Sequence, residues 1–275
     1  MSATSNNTGR YQAMFDKVQS QKQGAFVPFV MLGDPDFETS VDIIRTLVKS
    51  GADGLELGIP YSDPIADGPT IQQASIRALG SGIKPSDCFE IIKKVRKEFA
   101  DVPIGLLLYS NLVLARGLDN FYATAYEAGV DSILIADVPL READRFIEVA
   151  KTHSIQQILI APPNASDETL SQIGLKSSGY TYLLGRAGVT GAETAVELPA
   201  SELVEKLQKY EVAPPLIGFG ISTPEQVKAA IEAGAAGAIS GSATVNLIAK
   251  NLDNPAKMHT DLGEFVAKMK AATQL

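Results

Sequence analysis

Two carboxylates lie close together in the segment GLELGIPYSDPIADGPTIQQ, residues 54–73, and one of them falls within an apolar strand pattern. Leu55 and Leu57 alternate with Glu56, so a strand would pack its leucine face and point Glu56 to the opposite side. Asp67 follows in the loop beyond the strand. A carboxylate buried without a partner has a shifted pKa, and such shifts tune groups that transfer protons near neutral pH. The pair therefore indicates acid-base chemistry.

Each of these residues also has a purely structural interpretation. Glu56 could pair with a buried arginine or with backbone amides, which is a common arrangement for a single glutamate in a strand. Asp67 lies in a loop rich in proline and aspartate, where carboxylates often cap or turn the chain. Gly58 is the next residue on the strand face of Glu56, and its lack of a side chain predicts open space for a substrate beside the carboxylate.

The bulk composition predicts one soluble domain spanning residues 1–275. The chain has 275 residues, 45% of them hydrophobic and 20% charged, and a net charge of -8. This acidic balance disfavours nucleic acid and anionic membranes as partners. The polar first residues predict a flexible extension over residues 1–9, with no signal peptide and no membrane span. A single cysteine, Cys88, allows no internal disulfide and fits the cytoplasm, although an organelle stroma is also compatible; His153 and His259 lack ligands at metal spacing, so no metal is expected.

Eight short apolar runs alternate with amphipathic helical stretches along the chain. Each run is bounded by Gly, Pro, Asn or Asp, as strands usually are. Alternation of this kind predicts a parallel sheet covered by helices, and eight units favour a closed eight-stranded (β/α)8 TIM barrel with extra N-terminal and loop helices. The rival is an open doubly wound sheet, but the G-x-G-x-x-G and G-x-x-x-x-G-K-[ST] fingerprints of its nucleotide sites are missing. The predicted strands begin at Ala25, Gly54, Ile104, Ser132, Gln157, Tyr180, Pro215 and Gly237.

The ends of the last two strands carry glycines and small hydroxyl residues, in IGFGIST (217–223) and ISGSA (239–243). In such barrels, loops after strands seven and eight often bind phosphate through backbone N-H groups at the start of a short helix. The simpler alternative is that the glycines only permit tight turns. The long segment 185–199 predicts a mobile lid, with a functionless insert as its alternative.

The segment LELGIPYSDPIADGPTIQ (55–72) closely resembles the hallmark of the tryptophan synthase alpha subunit family. AFVPFVMLGDP, PIGLLLYSNLV, YTYLLGRAGVTGAE and GFGISTPEQV agree with that family as well, so the resemblance covers nearly the whole chain. It implies a lyase that cleaves indole-3-glycerol phosphate to indole and glyceraldehyde 3-phosphate by a retro-aldol step. It also implies a partner, a pyridoxal-phosphate beta subunit in an alpha2beta2 heterotetramer, which receives the indole. No cofactor is expected in this chain itself.

The resemblance assigns roles to individual residues. Glu56 matches the residue that shuttles protons, and Asp67 matches the residue that binds the indole N-H and stabilises charge on the ring. Tyr182 resembles a residue near the reacting centre, although aromatic packing is an equal alternative. Two further sets are implied. An apolar slot for the indole would be lined by Phe29, Ile71, Leu107, Tyr109 and Phe219, and the phosphate would be held by Gly191, Gly220, Gly241 and Ser242.

Two alternatives to this function are open at the sequence level. Another phosphate-binding barrel enzyme could act on a related metabolite, but such enzymes typically use a catalytic lysine at a strand end, and the eight predicted strands contain no lysine. A non-catalytic regulatory subunit that keeps the fold only to activate its partner is the second alternative. The presence of both Glu56 and Asp67 argues against it.

Overall fold

The strands of the computed structural model, which describes residues 9–185, 200–210 and 212–275, form a closed parallel barrel in sequence order. Parallel pairing of Ala25 with Gly237 joins the first strand to the last. All eight predicted strands are confirmed, and so is the barrel that they were expected to form. They are β1 (Ala25–Met31), β2 (Leu55–Gly58), β3 (Ile104–Leu108), β4 (Ser132–Ile135), β5 (Gln156–Ala161), β6 (Thr181–Leu184), β7 (Pro215–Gly218) and β8 (Gly237–Ser240).

The described residues form twelve α-helices, and a 3₁₀ turn at Leu140–Glu142. Residues 1–8 of the expected extension and 186–199 of the expected lid lie outside the described residues, and Gly9 begins the first helix. The helices are α1 (Gly9–Ser20), α2 (Phe37–Lys49), α3 (Pro69–Gly80), α4 (Pro85–Glu98), α5 (Ser110–Leu114), α6 (Leu118–Ala128), α7 (Asp144–Thr152), α8 (Asp167–Lys176), α9 (Ala200–Lys209), α10 (Pro224–Glu232), α11 (Ser242–Lys250) and α12 (Pro255–Ala271).

Local sequence signals fix where several helices begin and end. The α10 helix starts with a capping box, in which Thr223 accepts from the Gln226 backbone N-H and the Gln226 side chain accepts from the Thr223 backbone N-H. Gly129 ends α6 in the left-handed conformation, with φ of 92°. Since only glycine adopts this conformation without a steric cost, the chain can turn there directly into the next strand.

Strand alternation divides the core into an outer and an inner layer. Leu55 and Leu57 of β2 face outward into the layer between strands and helices, and both are fully buried. Glu56, between them, faces the barrel interior. It pairs in register with Phe29 of β1 and Gly105 of β3, so its backbone is held on both sides. The strand period of two therefore places this carboxylate inside the barrel.

Helix α1 closes the amino-terminal end of the barrel. The Tyr11 hydroxyl hydrogen-bonds to Ser132 Oγ at 2.8 Å, and the Tyr11 ring lies 5.4 Å from that of Tyr180. The guanidinium of Arg10 binds the buried carboxylate of Asp131 at 2.8 Å. This end is thus filled by side chains, and a ligand would enter from the opposite, carboxyl-terminal end. None of the described helices is long and apolar enough to cross a lipid bilayer.

Candidate active site

Glu56 is a buried carboxylate whose hydrogen-bond partner is a tyrosine. Only 2% of its surface is exposed, and its Oε1 accepts a hydrogen bond from the Tyr180 hydroxyl at 2.9 Å. Burial raises the pKa of Glu56 to about 7, and the Tyr180 hydrogen bond opposes part of that rise. A carboxyl group with this pKa can both donate and accept a proton near neutral pH.

The space beside Glu56 differs from the prediction made for Gly58. A side chain on Gly58 would meet the Phe29 ring at 2.8 Å and the Met31 sulfur at 2.9 Å, so the prediction of open space there was wrong. Side chains of the neighbouring strand β1 already occupy that volume. Gly58 therefore allows Phe29 and Met31 to pack against β2, and the substrate space lies elsewhere in the cavity.

Asp67 lies in the loop between β2 and α3, just before the helix begins. Its side chain points into the barrel mouth and the residue is 6% exposed. Burial raises its pKa to about 6, and a hydrogen bond from the Tyr109 hydroxyl lowers it in part. The Gln72 amide donates to the Asp67 main-chain oxygen at 2.7 Å, which fixes the backbone of the residue against the first turn of α3. The two carboxylates thus share one cavity but have different supports.

About 540 Å³ of space lies within this cavity and its mouth, part of it open solvent. The mixed polar and apolar lining suits a small-molecule ligand. The lining contains ten of the residues assigned from the resemblance, together with four that were not in those assignments. The ten are Phe29, Glu56, Asp67, Ile71, Leu107, Tyr182, Phe219, Gly220, Gly241 and Ser242; the four are Ile221, Ser222, Ile239 and Ala243.

Tyr182 is held in the cavity wall by close contact with the strand beside it. A side chain on Gly218 would collide with the Tyr182 ring and hydroxyl, so only glycine at that position admits the tyrosine. The Phe219 ring stands edge-on to Tyr182, with centroids 6.2 Å apart and planes at 89°. Phe219 itself adopts a φ of 65°, which is unusual for an aromatic residue. The end of β7 is therefore shaped around Tyr182.

The backbone at one side of the cavity is suited to an anion. Helix α11 begins at Ser242, and its cap residue Gly241 provides no side-chain hydrogen bond to the first turn. The adjacent α10, in contrast, is capped by its own side chains. A helix N-terminus has N-H groups without intrahelical partners and a positive dipole end. Gly220, with φ of 93°, brings a second loop to the same side.

Three residues separate the predicted site from the described one. Gly191, assigned to the phosphate, lies outside the described residues. Tyr109, assigned to the indole slot, is not in the described lining; its hydroxyl accepts from the backbone N-H of Ala66, one residue before Asp67. Tyr180 was not predicted at all, although its spacing of two from Tyr182 on an inward strand face was a signal for it. In the part of the chain that the structure describes, no cluster of His, Cys, Asp and Glu could hold a metal ion.

Comparisons with known proteins agree on one family. The sequence model of the tryptophan synthase alpha chain matches residues 15–274. The tryptophan synthase alpha chain of Francisella tularensis is 59% identical over 266 residues, which are 97% of this chain and 99% of the relative. That of Citrobacter koseri is 57% identical over 265 residues, which are 96% and 99% of the two chains.

Solved structures give the same result at lower identity. The tryptophan synthase alpha subunit of Legionella pneumophila superposes with a TM-score of 0.85 at 32% identity, covering 96% of this chain and 98% of that one. A chain of the Pyrococcus furiosus tryptophan synthase a2b2 complex superposes with a TM-score of 0.80 at 33% identity, covering 90% and 98%. Both sequence and fold are thus similar to these proteins over nearly their full lengths.

Proposed function

Because this chain belongs to the tryptophan synthase alpha chain family, we propose that the cavity at the open end of its barrel is where the family reaction takes place. The chain is a lyase that cleaves indole-3-glycerol phosphate to indole and glyceraldehyde 3-phosphate. The observation that carries the proposal is that Glu56 and Asp67 face one cavity, each with a raised pKa and a tyrosine partner. Two carboxyl groups in unlike surroundings can take unlike roles.

Glu56 is proposed to move the protons. Cleavage requires a proton on the indole ring carbon that carries the glycerol chain, and it requires removal of a proton from the hydroxyl on the adjoining carbon. Protonated Glu56 donates the first proton and, as the carboxylate, takes the second, so it returns to its starting state. As the hydroxyl proton leaves, the carbon-carbon bond breaks, its electron pair returns to the ring, and an aldehyde forms. A pKa of about 7 suits both halves of this cycle.

Asp67 is proposed to stabilise the charge that develops during the reaction. Protonation of the ring carbon places positive charge on the indole nitrogen, and an ionised carboxylate that accepts its N-H stabilises that state more than the neutral substrate. The pKa of Asp67, about 6, leaves the group mostly ionised at neutral pH. Apolar side chains around it exclude water and strengthen this interaction. They are those of Phe29, Ile71, Leu107 and Phe219.

The phosphate of the substrate is proposed to bind at the N-terminus of α11. Gly241 and Ser242 contribute backbone N-H groups and one hydroxyl, and Gly220 lies across from them in the same lining. No lysine or arginine is found in the described lining. The dianion would therefore be held by oriented dipoles, which act locally and suit a chain with a net charge of -8.

The family also implies a partner. The Pyrococcus furiosus relative is described as an a2b2 complex, and we propose that this chain likewise assembles with a beta subunit to which it passes indole. We propose that the loop SDPIADG (62–68), which carries Asp67 and the exposed Ile65, faces that partner. The pyridoxal phosphate is proposed to belong to the beta subunit alone, because no lysine is available in the described cavity to bind it. We also propose that the chain forms a single domain over residues 1–275 and acts in the cytoplasm.

Release of indole from indole-3-glycerol phosphate tests the proposed function. We expect turnover by the purified chain that increases when a tryptophan synthase beta subunit is added. Glu56→Gln should lower the rate by about 10²- to 10⁴-fold with the substrate affinity largely retained, since acid-base catalysis contributes about that much. Absence of indole release both with and without the beta subunit would refute the proposed catalytic function. A Glu56→Gln protein of normal activity would remove Glu56 from the mechanism.

A further inference from the structure

Tyr109 makes three contacts with the loop that carries Asp67. Its hydroxyl accepts a hydrogen bond from the Ala66 backbone N-H at 3.1 Å and lies beside the Asp67 carboxylate, whose pKa it lowers. Its ring stacks on Tyr61, with centroids 5.4 Å apart and planes at 29°. Tyr109 is 3% exposed and directly follows β3, where it is the cap residue of α5. A side chain fixed to the barrel thus reaches both ends of the loop.

The loop has few contacts of its own that could fix Asp67. Its internal backbone hydrogen bonds are those from Ile65 N to Asp63 O and from Asp67 N to Pro64 O, at 3.0 and 3.1 Å. Pro60 and Pro64 have no N-H to contribute. The loop is not part of a strand ladder, so the orientation of the Asp67 side chain depends on what it meets outside the loop. Tyr109 is such a contact, because its hydroxyl accepts from the N-H of Ala66, one residue before Asp67.

We infer that Tyr109 is a positioning residue that holds the loop of Asp67, and with it the carboxylate, at the indole nitrogen. This inference rests on the proposed role of Asp67 in the lyase reaction. The hydroxyl also lowers the pKa of Asp67, which favours the ionised carboxylate. Burial and the nearby Asp67 raise the pKa of Tyr109, so its hydroxyl stays protonated. The Ala66 N-H, which donates to the same oxygen, orients that hydroxyl.

Other titratable groups lie around this pair and do not replace Tyr109. The Tyr182 phenol faces Asp67 across the cavity, and Glu56 lines the same space. Asp137 also raises the pKa of Tyr109, and its carboxylate accepts hydrogen bonds from the backbone N-H and hydroxyl of Ser110 at 2.8 Å. Of these groups, Tyr109 is the one that lowers the pKa of Asp67.

Tyr109→Phe tests the inference, because it keeps the ring stack and removes the hydroxyl. We expect kcat for indole release to fall by about 3- to 10-fold with little change in KM, as for loss of one hydrogen bond between neutral groups, here the one from the Ala66 N-H. The acid limb of the kcat/KM profile should also move upward from about pH 6, because the pKa of Asp67 rises. Tyr61→Phe is the matched control: it belongs to the same ring pair, but its hydroxyl accepts from Asn111 at 2.7 Å. It should leave the acid limb in place.

Asp67→Asn, alone and combined with Tyr109→Phe, separates this inference from the proposed function. If Tyr109 acts through Asp67, Tyr109→Phe should have little further effect once the carboxylate is absent. A fully active Asp67→Asn protein would refute the role of Asp67 itself. Loss of activity in Asp67→Asn, together with a Tyr109→Phe profile whose acid limb does not move, would refute the positioning role and leave the proposed function in place.

Discussion

The buried carboxyl group of Glu56 should make the folded protein less stable as pH rises, and Glu56→Gln should remove that dependence. The pKa is raised from 4.5 to about 7 in the folded chain. A raised carboxyl pKa means that the folded state binds the proton more tightly than the unfolded state. The stabilising contribution is therefore complete below pH 4.5 and is lost as pH rises through about 7.

The size of the effect follows from these two values. By proton linkage, the contribution of Glu56 to the free energy of unfolding is smaller than at low pH by about 1.4 kcal/mol at about pH 5.5 and by about 3.3 kcal/mol at about pH 8. The difference between these conditions is about 2 kcal/mol, which is a large part of the stability of an ordinary domain. Glutamine has nearly the same shape as glutamate and does not titrate. The free energy of unfolding of Glu56→Gln relative to the unaltered protein should thus increase by about 2 kcal/mol from about pH 5.5 to about pH 8.

Urea denaturation of both proteins at the two pH values measures this difference. Glu142→Gln is a suitable control because the Glu142 side chain is 59% exposed, and its effect should be the same at both values. The use of a difference between variants cancels every other titrating group. A stability difference between Glu56→Gln and the unaltered protein that is equal at both pH values would refute the argument, since it would mean that Glu56 does not titrate with a raised pKa.

Three further outcomes are expected from single substitutions. Tyr180→Phe removes the hydrogen bond that lowers the pKa of Glu56, so the alkaline limb of the kcat/KM profile should move above about pH 7; an unmoved limb would contradict this. Gly218→Ala should displace Tyr182 by overpacking and cost about 1–3 kcal/mol of stability in urea denaturation, whereas an unchanged stability and rate would contradict the contact. Ser242→Asp should raise KM for indole-3-glycerol phosphate by repulsion of the phosphate while kcat changes little, and an unchanged KM would place the phosphate elsewhere.

The barrel could be predicted from sequence because its signals are local. Apolar runs ended by glycine mark the strands, and caps such as Thr223 mark helix starts within a few residues. The inward direction of Glu56 follows from the strand period alone. Such features depend on the covalent neighbours of a residue, so they need no knowledge of the tertiary fold.

The misjudged features depend on contacts between distant parts of the chain. Tyr180 binds Glu56 across the barrel at a sequence separation of 124 residues. Gly58 was expected to border open space because the sequence around it contains nothing to fill that space. The atoms that fill it belong to Phe29 and Met31 of another strand. Periodicity predicts which way a side chain points, but not which residues from other strands it contacts there.

The supports of the two carboxylates differ in a way that fits their proposed tasks. Glu56 lies on a strand paired on both sides, and Tyr180 reaches it from inside the barrel. Asp67 lies on a loop, and the Tyr109 hydroxyl connects that loop to the barrel through the N-H of Ala66. Loop movement can therefore change the charge stabilisation without changing the pKa of the proton-transfer group. Tyr109→Phe should accordingly leave the change in stability of about 2 kcal/mol assigned to Glu56 intact, even where it lowers kcat.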